Sequence, residues 1–149
     1  MTFGSGGVAK VIVRVEKGEA CYYLFSRKNA PGHDKHNHLE FLGGHLENES
    51  PIEAVVRELK EEEKTGLLAA RLSGQQPAEQ VKIDGVDHHI FRVTISHDEY
   101  LSLRHDPHES LGFELVPVSA LRGKKVQAEL TRKTRLILLA LQQAGKGLQ

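Results

Sequence analysis

Apolar and charged residues alternate near the start of the chain. Over residues 8–16 the valines and isoleucine are separated by Lys10, Arg14 and Glu16, which predicts a half-buried β-strand. Lys17-Gly18-Glu19 predicts a hairpin turn, and the aromatic-rich residues 20–26 predict a second strand. A polar loop over residues 27–38 then leads to a short strand over residues 39–42, which ends in Gly43-Gly44.

The second half of the chain has the same kind of pattern. Further strands are predicted at residues 67–73, 79–83, 88–96 and 112–116. Asp84-Gly85 is a turn signal, and residues 97–111 are predicted to be a polar loop in which residues 100–103 are ordered. Residues 126–144 predict a long helix that Gly145 closes.

The best-defined helix begins after Ser50. Ser50 is a favourable N-cap, Pro51 suits the first helical position, and Glu53 completes a capping box. We expect the helix to run to residue 62 or 64, with Gly66 marking its end. Its apolar stripe faces the core and consists of Ile52, Val55, Val56 and Leu59.

Strands, a helix, more strands and a final helix predict a layered α/β or α+β domain. The 149 residues suit one domain, residues 1–149, with one hydrophobic core. Gly4-Ser5-Gly6-Gly7 lacks the features of a phosphate-binding loop, so residues 1–7 are predicted to be flexible.

Composition excludes several classes of protein. With 39% hydrophobic and 27% charged residues and a formal net charge of zero, the chain is predicted to be a globular protein without an obligate nucleic-acid partner. Cys21 is the single cysteine, so no internal disulfide is expected. The sequence shows no signal peptide and no apolar run of membrane-spanning length, which predicts a cytoplasmic protein.

Three glutamates on the helix after Ser50 are the main chemical signal. Glu58, Glu61 and Glu62 are spaced i, i+3 and i+4, so one helical face carries all three. A hard divalent cation such as Mg²⁺ would offset their repulsion and could activate a water molecule. The simpler alternative is a solvated helix face, with Lys60 and Lys64 offsetting the glutamates.

Residues 43–67 resemble the signature of the Nudix hydrolase family. The residues that match in register are Gly43, Glu49, Arg57, Glu58, Leu59, Glu61 and Glu62, and Gly66 and Leu67 match in kind. The chain departs from the family pattern at two places. The glycine loop is one residue short, since only Gly43 has the right spacing to Glu49. Two extra residues, Glu63 and Lys64, precede Gly66, and we expect the helix to end or distort there.

The resemblance implies a Nudix-like α/β/α sandwich with a mixed sheet, a catalytic helix after Gly43-Gly44 and a C-terminal helix. It implies that Glu58, Glu61 and Glu62 bind Mg²⁺ or Mn²⁺ and that Arg57 holds Glu49. The reaction implied is pyrophosphohydrolysis, which cleaves a diphosphate bond in a nucleoside diphosphate linked to another group. Family members often add a later acidic residue, for which Glu109 is the candidate, although an exposed loop glutamate is an equal alternative.

A small nucleotide-type molecule, such as ADP-ribose or a nucleotide sugar, is the expected substrate. Gly43, Gly44 and His45 are candidate contacts near its phosphates, and Arg27 is a further candidate. His33, His36 and His38 suggest a substrate-facing loop more than a metal site. Because His88 and His89 are adjacent on a strand, at most one of them can face a given cleft.

Two alternatives compete with the active enzyme. A nucleotide sensor of the same fold that does not cleave is motivated by the insertion and the short glycine loop. An unrelated interaction domain is motivated by the apolar run at residues 136–141, although burial in the chain's own core is the simpler account. The oligomeric state is left open by the sequence, and a homodimer is one option.

Overall fold

A computed structural model describes residues 6–144 of the chain. Its strands are β1 Val8–Lys17, β2 Ala20–Lys28, β3 Leu39–Glu40, β4 Leu42–His45, β5 Glu79–Ile83, β6 Val86–Ser96 and β7 Ser110–Pro117. Its α-helices are α1 Pro51–Glu62, α2 Leu67–Leu72, α3 His97–Ser102, α4 Lys124–Glu129 and α5 Arg132–Gln143, and a 3-10 turn occupies Val118–Ala120.

The strands form one mixed sheet that divides around β1. The order β3-β2-β1-β6-β5 is extended by β4, which pairs with β1, and by β7, which pairs with β2. Strand β1 runs parallel to β6, and the other pairs are antiparallel. The first half of β1 pairs with β4 and the second half with β2. This fork holds the glycines of β4 directly beside Ala9 and Lys10.

Two apolar layers lie on opposite faces of the sheet. One contains alternate residues of β1, such as Val11 and Val13, together with Val55 and Leu59 of α1. The other contains Ile12 of β1 and packs against Ile137 and Leu141 of α5. The mixed sheet with helices on both sides confirms the predicted α/β/α sandwich.

The prediction of a strand at residues 67–73 is wrong, because this segment is helix α2. Leu68, Ala69 and Leu72 are its buried residues, and that spacing suits one face of a helix rather than alternate positions of a strand. Gly66 precedes the helix with a φ of +82°. It therefore opens α2, and α1 ends before it.

The prediction of one helix over residues 126–144 is also wrong. Leu130 and Thr131 are extended and separate α4 from α5. Leu130 is fully buried and bridges to Leu39, whose carbonyl accepts a hydrogen bond from the Thr131 N–H at 2.9 Å. The extended residues between the two helices therefore pair with β3 through their backbone. The predicted closing residue, Gly145, lies outside the described residues.

The predicted loop at residues 97–111 contains helix α3. Ser96 and Glu99 form a capping box at its start, a local signal that the apolar pattern does not reveal. Of the predicted flexible N-terminus, residues 1–5 lie outside the described part. The carbonyl of Gly7 accepts a hydrogen bond from the Leu46 N–H at 2.9 Å, so this residue is held against the loop after β4.

Candidate active site between helix α1 and strand β4

Helix α1 is fixed at its first turn by the predicted capping box. The Ser50 hydroxyl accepts a hydrogen bond from the Glu53 N–H at 3.3 Å, and the Glu53 carboxylate accepts one from the Ser50 N–H at 3.0 Å. Pro51 occupies the first helical position. Because this end of the helix is fixed, the side chains of its later turns have defined positions relative to β4.

Arg57 connects α1 to the loop before it. Its Nε and Nη2 atoms donate to the Glu49 carboxylate, the shortest of these bonds being 2.7 Å, and Nη2 also donates to the His45 carbonyl at 3.1 Å. Nη1 donates to Glu58 at 3.1 Å. The hydrogen bonds from Arg57 hold the pKa of Glu49 below its ordinary value, so Glu49 is ionised at neutral pH.

Glu62 lies one turn further along, in the interior. It is 7% exposed, and its Oε1 accepts a hydrogen bond from the Gly43 N–H at 2.9 Å. Burial raises the pKa of Glu62 to about 8, while the nearby Lys10 ammonium and the Gly43 hydrogen bond act in the opposite direction. A carboxylate buried in this way is stabilised by a further cation.

Glu58 is the second carboxylate that faces β4. Burial raises its pKa, and Arg57 opposes that shift. A Cβ atom placed on Gly44 would lie 2.6 Å from the Glu58 carboxylate. Gly43 is required for another reason, since its φ is +125° and a Cβ there would lie 2.1 Å from the carbonyl oxygen of Ala9. The two glycines thus make room for α1 on one side and for β1 on the other.

The donors at this site fit a hard divalent cation. Glu58 and Glu62 are carboxylates of raised pKa near Gly43 and Gly44, and Mg²⁺ commonly takes one or two protein carboxylates while keeping waters and phosphate oxygens. Within residues 6–144 no three acidic, histidine or cysteine side chains already form a complete metal cluster. The residues that fit a cation here are therefore Glu58 and Glu62, and such an ion would need further ligands beyond these two carboxylates.

Glu61 lies at the exposed edge of this cluster, where Arg57 Nη1 contacts both Glu58 and Glu61. Its side chain is 49% exposed and lies 3.7 Å from Arg57 Nη1, on the side of a shallow groove that also contains Ile52 and Val56. Glu109 is exposed in the turn after Asp106, apart from the residues that surround Glu58.

Arg27 is engaged with acidic residues elsewhere. Its guanidinium lies 2.5 Å from Glu114 and 3.0 Å from Glu129. It also donates a hydrogen bond to the Asn37 carbonyl at 2.8 Å. Arg27 and Lys28 belong to β2, so the loop predicted from residue 27 begins only at residue 29. The contacts of Arg27 hold this end of β2 against β7 and α4, and they leave Arg27 outside the lining of the cavity beside Glu58.

A cavity of about 280 Å³ adjoins Glu58, Gly43, Gly44 and His45. Its further lining residues are Val8, Lys10, Lys28, Lys35, Glu40, Glu47, His88, Thr131, Lys133, Thr134 and Ile137.

Three charged residues of this lining were not predicted from the sequence as site residues: Lys10, Glu40 and Lys133. Lys10 is paired in register with Gly43, a relationship that depends on how the sheet divides. Lys133 lies four residues before the buried Ile137, a helical spacing that offered a weak signal.

His88 and His89 face different surfaces, as their adjacent positions on a strand predict. His88 is buried and lines the cavity, whereas His89 lies on another surface beside Gly7 and Leu46. The Nδ1 atom of His88 lies 3.0 Å from the Val86 carbonyl.

Two other histidines stabilise the loop at residues 29–38. His36 accepts a backbone hydrogen bond from the Ala30 N–H, and His33 accepts one from the Lys35 N–H.

The two extra residues at the end of α1 are built into the fold. The helix ends at Glu62, and the buried Glu63 carboxylate accepts hydrogen bonds from the N–H groups of Thr65, Gly66 and Arg104 at 2.9, 3.1 and 3.0 Å. Lys64 pairs with Asp106 at 3.0 Å. The expected end of the helix is confirmed. Beyond it, backbone N–H groups that a continued helix would bond to backbone carbonyls are bonded instead to the Glu63 carboxylate.

Comparison with known proteins gives one family and many similar structures. The family model described as the NUDIX domain matches residues 5–135. A MutT protein from Methanosarcina mazei Go1 has a TM-score of 0.68 and 19% identity, over 94% of this chain and 94% of that one. RenU, a Nudix hydrolase from M. smegmatis, has a TM-score of 0.64 and 21% identity, over 97% and 88%.

A third similar structure is the NUDIX domain of Shewanella oneidensis NrtR complexed with ADP ribose. Its TM-score is 0.65 and its identity 11%, over 95% of this chain and 90% of that one. No curated protein matches the sequence. At these identities the structural neighbours show the fold alone, and the family model carries the assignment of the family.

Proposed function

The chain belongs to the Nudix hydrolase family, and from this premise we propose that it is a metal-dependent enzyme that cleaves a diphosphate bond in a nucleoside diphosphate linked to another group. The family assignment supports a pyrophosphohydrolase, and Nudix hydrolases generally use divalent metal ions. Beyond the family, we propose the class of substrate, the identity of the metal ion and the residues that bind them. The observation that carries these proposals is the buried Glu62 carboxylate and the half-buried Glu58 carboxylate beside Gly43 and Gly44.

We propose Mg²⁺ or Mn²⁺ as the ion, held by Glu58 and Glu62 and, after a change of rotamer, by Glu61. When bound, such an ion supplies a polarised phosphoryl oxygen and a water of lowered pKa. Arg57 keeps Glu49 ionised and fixes its direction. Gly43 and Gly44 leave the backbone accessible to a phosphate group, and His45 and Lys10 line the same cavity.

The proposal also covers Glu109, Arg27 and the cellular compartment. Glu109 is proposed as an additional acid or base, which requires the turn after Asp106 to move toward the cavity. Arg27 is proposed to act on the substrate indirectly, through the loop at residues 29–38 that its hydrogen bond to the Asn37 carbonyl anchors. None of the helices within residues 6–144 is long and apolar enough to cross a membrane, and we propose that the enzyme acts in the cytoplasm.

The experiment that tests the proposal is hydrolysis of a substrate panel. The panel contains nucleoside triphosphates, ADP-ribose, nucleotide sugars and dinucleoside polyphosphates, each assayed with Mg²⁺, with Mn²⁺ and with EDTA. We expect turnover of at least one member with metal and none with EDTA. Turnover that persists in EDTA would contradict the metal-dependent mechanism.

A second candidate function is a nucleotide sensor that does not cleave. It is favoured by the exposure of Glu61, whose side chain is 49% exposed and which lines a different surface groove from the cavity beside Glu58. It predicts nucleotide binding without turnover of any panel member in either metal. The geometry of Glu63 weakens this alternative, since the extra residues are accommodated without displacing Glu62 from Gly43.

A further inference from the structure

The cavity beside Glu58 combines several lysines with fewer acidic residues. Four lysines line it, against three glutamates, Glu40, Glu47 and Glu58. Lys10 donates to the carbonyls of Phe41 and Gly43 at 3.2 and 3.4 Å. Lys28 lies 3.5 Å from Glu40. These two lysines therefore already have partners in the protein.

The other two lysines of the cavity, Lys35 and Lys133, have no acidic partner within the described residues, since neither lies within ion-pair distance of an acidic side chain. Lys35 belongs to the loop after β2, and Lys133 to the first turn of α5. Two elements that are distant in sequence thus contribute an unmatched ammonium group to one cavity.

The position of Lys133 on its helix is itself unfavourable. Cations in the first turn of a helix are repelled by the helix macrodipole. The neighbouring Arg132 is compensated by Asp84 at 2.7 Å, and the first turn contains no acidic residue. An anion in the cavity would offset the charge of Lys133.

The pKa values of His45 and His88 are both lowered by burial and by lysines that line the same cavity. Burial lowers the pKa of His45, and Lys133, Lys10, Lys35 and Lys28 lower it further. Burial also lowers the pKa of His88, and Lys133 and Lys10 contribute in the same direction. The ammonium groups therefore act on common neighbours, and both imidazoles favour their neutral form.

The cavity is better suited to phosphate than to a nucleobase. Apart from the two imidazoles, its described lining contains no aromatic ring on which a base could stack. Tyr23 and Phe25 of β2 are fully buried in the core and do not line the cavity. Lysine is an effective point-charge ligand for phosphate oxygens.

We propose that Lys35 and Lys133 are specificity-determining residues that bind a phosphate beyond the two joined by the cleaved bond. The preferred substrate is then a nucleotide with at least three consecutive phosphates, in preference to one with two, such as ADP-ribose. This inference rests on the proposed function for the identity of the reaction. The binding preference itself is a property of the lysines and can be measured without turnover.

The test uses inorganic tripolyphosphate and pyrophosphate as probes, titrated into the metal-free full chain by calorimetry. We expect tighter binding of tripolyphosphate. Lys133→Gln is expected to weaken it about tenfold, as for loss of a charged hydrogen bond, with less than about a twofold effect on pyrophosphate by the same reasoning. Lys35→Gln gives a second variant outside any helix. Lys17→Gln, in the exposed end of β1, is the matched control and should change neither affinity.

Equal losses for the two probes, or no loss in either variant, would overturn the proposal. The same variants assayed with a nucleoside triphosphate and ADP-ribose separate it from the proposed function. A selective rise in KM for the triphosphate supports the lysine assignment, and an equal effect on both substrates contradicts it. Absence of all metal-dependent turnover would count against the proposed function, while the calorimetric difference would still decide the role of the lysines.

Discussion

The Gly43 N–H donates a hydrogen bond of 2.9 Å to the carboxylate of Glu62, which is buried between α1 and β4. A single backbone donor does not replace the hydration that the carboxylate loses, and burial raises its pKa to about 8. This hydrogen bond joins strand β4 to helix α1. It also leaves a carboxylate whose ionised form requires additional positive charge.

The first prediction concerns stability and pH in EDTA. Because the pKa of Glu62 is raised from 4.5 to about 8, the folded state holds a proton that the unfolded state has released between those values. Glu62 is thus expected to reduce the free energy of unfolding as pH rises, by up to about 1.4 kcal/mol per pH unit. Glu62→Gln should remove this decline. Urea denaturation of both proteins from pH 5 to 8 would show curves that diverge, and parallel curves would contradict the burial argument.

The second prediction separates the two glycines. Gly43→Ala should lower the free energy of unfolding by more than about 2 kcal/mol, because its backbone is left-handed and its Cβ would meet the Ala9 carbonyl. Gly44→Ala should change stability by less than about 1 kcal/mol, since the Glu58 carboxylate can move away. Its kcat/KM should nevertheless fall at least about tenfold. Denaturation and steady-state kinetics on both variants would test this, and an inverted order of stabilities would refute it.

Arg57 supports the third prediction. Arg57→Lys keeps the positive charge and loses the two-atom contact with Glu49. We expect kcat to fall about tenfold with a smaller change in KM, because the contact positions a group and does not bind the substrate. Arg122→Lys, at an exposed position after the 3-10 turn, is the control. An unchanged kcat would show that the orientation of Glu49 has no part in the reaction.

The fourth prediction addresses the inserted residues. Glu63→Gln replaces one acceptor oxygen with an NH₂ group that faces the N–H donors of Thr65, Gly66 or Arg104. The expected destabilisation is about 1–3 kcal/mol. Lys64→Gln removes only the partly exposed pair with Asp106 and should cost less than about 1 kcal/mol. Thermal or urea denaturation of the two variants would reveal this contrast, and equal effects would contradict it.

The sequence predicts the elements whose signals are local. The capping box at Ser50 and Glu53 and the alternation of β1 both give correct structures. The end of α1 before Gly66 also follows from local pattern, since Glu63 falls toward the apolar stripe. The short apolar segment that forms α2 resembles a strand in sequence, because six residues contain too few turns for helical periodicity to stand out.

The parts of the site that could not be predicted depend on long-range packing. The position of Lys10 opposite Gly43 follows from the fork in the sheet at β1, and the position of Lys133 follows from the interruption at Thr131. A helical wheel places Glu58, Glu61 and Glu62 on one face. Only the packing of β4 against α1 buries Glu62 and leaves Glu61 exposed beside Arg57.

The central claim is that the carboxylates beside Gly43 and Gly44 make the chain a metal-dependent hydrolase. The most direct measurement compares kcat of the wild type, Glu62→Gln and the exposed-site control Glu19→Gln, on whichever panel substrate is cleaved fastest in Mg²⁺. The account predicts a loss of at least about a hundredfold for Glu62→Gln and wild-type activity for Glu19→Gln. Undiminished hydrolysis by a folded Glu62→Gln protein would contradict it.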